Sequence, residues 1–77
     1  MLGTVIRRER RRKKMTQKDL ARVTGMSRET INRIEREKFA PNVNALLQIA
    51  GALEVSASEL LKEVDHHAQS ELPPLRD

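Results

Sequence analysis

Apolar positions recur along this chain at helical intervals, and nowhere do apolar and polar residues alternate as a strand requires. At 100° per residue, Leu2, Val5, Ile6, Glu9, Arg10 and Lys13 share one side of a first predicted helix over residues 2–14, while Arg7, Arg8, Arg11 and Lys14 take the other. A second helix is expected over 17–24, with Thr16 as its N-cap, Asp19 at an imperfect capping-box position and Leu20 and Ala21 facing in. Gly25 supplies the backbone freedom to stop it. Ser27 caps a third helix over 28–36, with Thr30, Ile31 and Ile34 on its inner side. After a loop holding Phe39 and Pro41, Asn42 caps a fourth helix over 43–53. Its Leu46, Leu47, Ile49, Ala50 and Leu53 make it apolar nearly all round, as for a helix packed in the middle of a bundle. Ser56, with Glu59 at the capping-box position, opens a fifth. The final stretch has no periodicity and two adjacent prolines, so residues 64–77 read as a tail or dimerisation extension after a domain over 1–63.

Two short helices joined by a turn with a glycine form the helix-turn-helix pattern. The outer stripe of the third helix is Arg28, Glu29, Asn32, Arg33 and Arg36. Arginine pairs bidentately with guanine, asparagine with adenine, and glutamate accepts from cytosine N4, so the stripe suits base edges. Glu29 has a second reading, holding Arg33 at i,i+4. Arg36 and Lys38 suit phosphate at the helix end. Asn42 and Asn44 fit capping better than phosphate contact.

Charge sharpens this picture. Residues 1–14 carry +6, residues 15–53 carry +2 and residues 54–77 carry −4, giving +4 over 77 residues. A basic body with an acidic end suits an anionic partner on one side. The run RRERRRKK at 7–14 is thus the polar face of a helix rather than a tail; a localisation or heparin-binding patch is the competing reading, and a merely solvated face the bland one. Arg10 is its exception, turned inward, where a guanidinium needs a carboxylate. Glu35, at the edge of the third helix's inner side, is positioned to meet it.

Composition removes other classes. Phe39 is the sole aromatic, against the base stacking that RNA or single-strand binding uses. Without cysteine there is neither a disulfide framework nor a zinc-thiolate site. His66 and His67 are adjacent but lack further ligands at helical spacing, and nothing orients them with Ser56, Ser58 or Ser70 as a nucleophile system. No cofactor, metal site or enzyme activity is therefore expected. No apolar run approaches the ~20 residues of a membrane span, so a cytoplasmic location is expected. A chain this short buries only about 60–65% of its unfolded surface, which makes a second copy a natural source of stability.

In order and spacing, the chain resembles the lambda-repressor-like (Xre-type) helix-turn-helix family over about residues 2–61. The resemblance rests on Leu2, Gly3, Ile6, Arg7 and Arg10; on Thr16, Gln17, Leu20, Ala21, Gly25 and Ser27; on Ile31, Ile34 and Glu35; and on the pattern from Pro41 to Leu60. It implies an all-α, compact five-helix domain whose third helix enters the major groove of double-stranded DNA, bound as a homodimer on half-sites about one turn apart. It also implies a phosphate contact by Gln17, base or phosphate contacts by Ser27, Arg28, Glu29 and Arg33, and a pairing of Arg10 with Glu35. One arginine of the octet would then serve the fold and leave the others for solvent or phosphate. The chain departs from the family at Glu37 and Glu54, where glycine is common and a left-handed backbone costs another residue roughly 1 kcal/mol, and at Glu9, where leucine is frequent. The expected function is a sequence-specific transcriptional regulator working on a palindromic operator. The alternative is an antitoxin-like interaction module whose acidic tail binds a partner protein.

Overall fold

The computed structural model describes residues 1–62 of the chain, and the predicted tail with His66, His67 and Ser70 lies outside them. Four complete helices follow one another: α1 (Leu2–Arg12), α2 (Gln17–Thr24), α3 (Arg28–Glu35) and α4 (Val43–Leu53). A fifth, α5, is described over residues 57–62. There is no strand among the described residues.

The starts of α2, α3, α4 and α5 are set by side-chain caps. The capping box of α2 is complete despite aspartate in place of glutamate: the Asp19 amide donates to Thr16 Oγ1 at 3.0 Å, and the Thr16 amide donates to Asp19 Oδ2 at 2.9 Å. Ser27, Asn42 and Ser56 accept from the amides of Thr30, Ala45 and Glu59 respectively. Asn44, also read as a cap, does not serve as one; Asn42 alone opens α4.

The four complete helices end alike. Each is followed by a left-handed residue, and the next amide returns to a carbonyl five residues back: Met15 to Arg10, Met26 to Ala21, Lys38 to Arg33 and Val55 to Ala50. The left-handed residues are Lys14 (φ 56°), Gly25 (φ 74°), Glu37 (φ 62°) and Glu54 (φ 60°). This closure ends α1 at Arg12, two residues short of the expectation, and α3 at Glu35, one residue short. Arg36 belongs to the turn. Glu37 and Glu54 keep the left-handed turn without the glycine that eases it.

The core joins Val5 and Ile6 of α1, Leu20 and Ala21 of α2, Ile31 and Ile34 of α3, Leu46, Ile49, Ala50 and Leu53 of α4, and Leu60 of α5. Two inward assignments need correction. Lys13 is exposed and reaches Glu54 at 2.7 Å instead of turning in. Helix α4 is not covered all round: Leu47 is 54% exposed and Val43 71%. Only one stripe of α4 meets α2 and α1, which leaves its opposite apolar side uncovered among the described residues.

Gly3 sets how closely α1 approaches α3. A Cβ there would collide with the Ile34 carbonyl oxygen and lie 2.7 Å from that of Glu35. The backbone of α1 rests directly on the end of α3.

Candidate nucleic-acid interface

Glu35 organises the surface on which α3 presents its outer face. Its side chain is buried, yet it receives Arg10 Nε on Oε2 at 2.6 Å, Arg10 Nη2 on Oε1 at 3.0 Å and Gln17 Nε2 on Oε1 at 3.1 Å. Arg10 Nη1 donates to the Met15 carbonyl at 2.7 Å, so the same guanidinium ties down the α1–α2 linker. Burial pushes the Glu35 carboxyl up, but the hydrogen bonds from Arg10 and Gln17 and the charges of Arg10 and Arg7 outweigh it, leaving it below the ordinary glutamate value. No buried side-chain nitrogen or oxygen is left without a partner among the described residues.

Arg10 meets Glu35 as expected, but Arg10 is not the octet's only arginine in the fold. Arg7 Nη2 donates to the Glu35 carbonyl at 3.3 Å, and its Nε lies 3.6 Å from Glu35 Oε1. Arg8 and Arg12 both approach Glu9, at 3.5 and 3.2 Å. The signal for Arg7 was its place one turn before Arg10 on the same helix.

An open groove runs between the start of α2 and the outer face of α3, lined by Gln17, Lys18, Arg28, Glu29, Asn32 and Arg33. Thus five of the residues read as contacts from sequence converge here: Arg28, Glu29, Asn32 and Arg33 lie along α3, and Gln17 closes the far wall. Arg28, Glu29 and Arg33 are exposed and make no side-chain hydrogen bond or ion pair among the described residues. In particular, Glu29 does not hold Arg33. Asn32 is only half-exposed and donates from Nδ2 to Gln17 Oε1 at 3.3 Å. The Ser27 hydroxyl is taken up by the Thr30 amide and hydroxyl, at 3.1 and 2.8 Å. Arg36 and Lys38 are exposed in the turn beyond α3 rather than in the groove lining.

The helix-turn-helix family model matches residues 6–60 of this chain. The chain belongs to the lambda-repressor-like helix-turn-helix family. Among the family's proteins it is similar to the immunity repressor protein of Bacillus phage phi105, 34% identical over 62 residues, which are 80% of this chain and 43% of that protein. It therefore spans less than half the length of that relative. The P22 c2 repressor, in a crystal structure with the synthetic operator 9T, superposes with a TM-score of 0.76 at 35% identity, over 80% of this chain and 94% of that one. The complex of the SinR and SinI proteins gives a TM-score of 0.78 at 28% identity, over 87% and 66% of the respective chains. The family fold and the order α1 to α5 agree with the sequence reading. None of the described helices is long and apolar enough to cross a membrane, and no group of three or more His, Cys, Asp or Glu among the described residues could hold a metal ion.

Proposed function

We propose that the chain is a sequence-specific, duplex-DNA-binding transcriptional regulator of the repressor type, with α3 lying in the major groove. The observation that carries this reading is the open outer face of α3. Arg28, Glu29 and Arg33 stand exposed and unengaged over a buried Ile31–Ile34 back, so their donors and acceptors are free for base edges. Ser27, Arg36 and Lys38 flank that face, and phosphate is the ligand their hydroxyl and charged groups suit, while Gln17 closes the far wall of the groove. The similarity to a repressor crystallised with operator DNA supports the same use of the same surface.

We further read the active form as a homodimer on a palindromic operator. The uncovered apolar side of α4, Val43 and Leu47, suits a second copy better than solvent. The domain would comprise residues 1–63, with residues 64–77 as an extension, acting in the cytoplasm without a cofactor. Selection from random duplexes at several salt concentrations tests the DNA reading and the dimer. An enriched pair of half-sites about one helical turn apart supports the dimer, and a linear fall of log affinity with log salt counts phosphates. Absence of any enriched sequence sinks the reading.

A second reading is that residues 64–77 bind a partner protein, antitoxin-like. It is favoured by the six acidic and two basic residues from 54 onward and by the similarity to a protein solved with a second protein, SinI. Truncation after Glu63 separates the two: DNA binding survives and partner binding is lost.

A further inference from the structure

Gln17 bridges two polar groups that the sequence treats separately, and the bridge has a direction. The Glu35 carboxylate is held ionised by the Arg10 fork, with Arg7 beside it, so it can only accept hydrogen bonds. The end of the Gln17 amide that faces it must therefore be the NH2, as the 3.1 Å bond from Nε2 to Oε1 has it. That leaves Gln17 Oε1 turned to α3, where it too can only accept. Asn32 must answer with its own NH2, at 3.3 Å. The carbonyl oxygen and second N–H of Asn32 are what remain for the groove, which Asn32 lines. An asparagine alone on a helix face rotates freely between its two amide orientations, which differ little in energy. Here a buried charge two side chains away selects one of them.

We propose that Gln17 is a positioning residue that passes the polarity of the Arg10–Glu35 pair to Asn32, and that Asn32, so oriented, is a specificity-determining residue that reads adenine. An outward carbonyl with an adjacent N–H matches adenine N6–H and N7. This inference rests on duplex DNA being the ligand. It differs from the phosphate contact that the family resemblance implies for Gln17. A residue that only holds phosphate weakens every duplex alike, whereas a positioning residue erases a preference at one base pair.

Two measurements test it. In the first, wild type, Gln17→Met, Gln17→Ala, Asn32→Ala and the double variant Gln17→Met/Asn32→Ala compete for the best selected duplex and its single-base variants at one salt concentration, each checked for folding by circular dichroism. Asn32→Ala is expected to lose about fivefold or more of the preference for adenine at one position. Both Gln17 variants are expected to lose preference at that same position, and the double variant no more than Asn32→Ala alone. The proposal is overturned if the Gln17 variants weaken all duplexes by one factor, if their lost preference falls at another base pair, or if the effects add. In the second, made without DNA, Gln17→Met is expected to shift the Asn32 side-chain amide resonances in a nitrogen-15 spectrum; unmoved resonances overturn the relay. A wild type that prefers no duplex removes the DNA reading and the adenine assignment with it, while the second measurement still judges the relay itself.

Discussion

Glu37 accepts a hydrogen bond from the Thr4 amide at 3.3 Å, placing its carboxylate over the first turn of α1. That turn has no side-chain cap at Met1 and no acidic residue of its own. The Met1 ammonium group lies 3.2 Å from the same carboxylate. Burial raises the Glu37 carboxyl, but the Met1 ammonium and the amides of Gly3 and Thr4 more than offset this and lower it. The residue that strains the end of α3 thus compensates the start of α1.

Glycine substitution should separate these two effects. Glycine at position 37 relieves a left-handed backbone, worth roughly 1 kcal/mol, and removes an anion at a helix N-terminus, worth about 0.3–1 kcal/mol. Glu37→Gly is therefore expected to melt close to wild type. Glu54 is equally left-handed but, among the described residues, serves only an exposed pair with Lys13, and such pairs contribute little. Glu54→Gly is expected to raise the melting temperature by about 4 °C. A calorimetric scan in which the two variants shift equally would refute the capping role of Glu37.

Removing Glu35 should cost far more than removing Glu37. Breaking a buried ion pair costs about 3–5 kcal/mol because the other charge is stranded, and Glu35→Ala strands Arg10 and frees Gln17. Glu37→Ala keeps the strained backbone and loses a partly exposed anion, at about 1 kcal/mol or less. Equal melting losses would discard the Arg10 pairing as the organising contact.

Acid should expose the same pair. The Glu35 carboxyl is lower in the folded chain than in the unfolded one. Its contribution is accordingly complete above the ordinary carboxylate range and is lost as pH falls through the lowered folded value. Asp19, Glu37 and Glu54 are lowered as well, so they sustain part of the acid limb in any Glu35 variant. Stability plotted against pH is expected to fall less steeply at the acid end in Glu35→Gln than in wild type. Parallel acid limbs would contradict the lowered carboxyl.

At the interface, Arg33→Ala should relax preference at one base position and leave the others intact. Its guanidinium has no partner within the described residues, so its removal strands nothing in the fold. A loss of about 1–3 kcal/mol of discrimination is expected at that position, read by competition among single-base variants. A uniform loss would make Arg33 a phosphate contact.

Much of this was legible from side-chain chemistry that acts locally. Caps at Thr16, Ser27 and Asn42 work over three residues, so they can be read from a string of letters. The inward turn of Arg10 was legible because helical periodicity leaves it no other side, and its demand for a carboxylate points to Glu35. What stayed hidden depends on the angles between helices. Leu47 looks like a core residue until α4 is seen to offer one stripe to its neighbours. Arg7 looks like surface until α1 lies against the end of α3. The link from Gln17 to Asn32 spans fifteen residues and two helices, and no spacing rule announces it. The closure of α1 at Arg12 was missed because Lys14 takes a left-handed conformation that lysine rarely adopts.

Gly3 should tolerate nothing larger. Gly3→Ala puts a methyl group into two carbonyl oxygens of α3, and overpacking of this kind costs about 1–3 kcal/mol. The expected result is a melting point at least about 4 °C lower; an unchanged melt would mean that α1 can lift away at little cost.

Two main chains in direct touch have no rotamers with which to accommodate a changed neighbour. Around Ile49 or Leu53 a swapped side chain can be answered by another side chain, and variation there can drift in compensated pairs. At position 3 there is no second residue to change in reply. Mutational drift in this domain is thus closed off at one specific hinge point, where the basic helix bears on the rod that faces the groove.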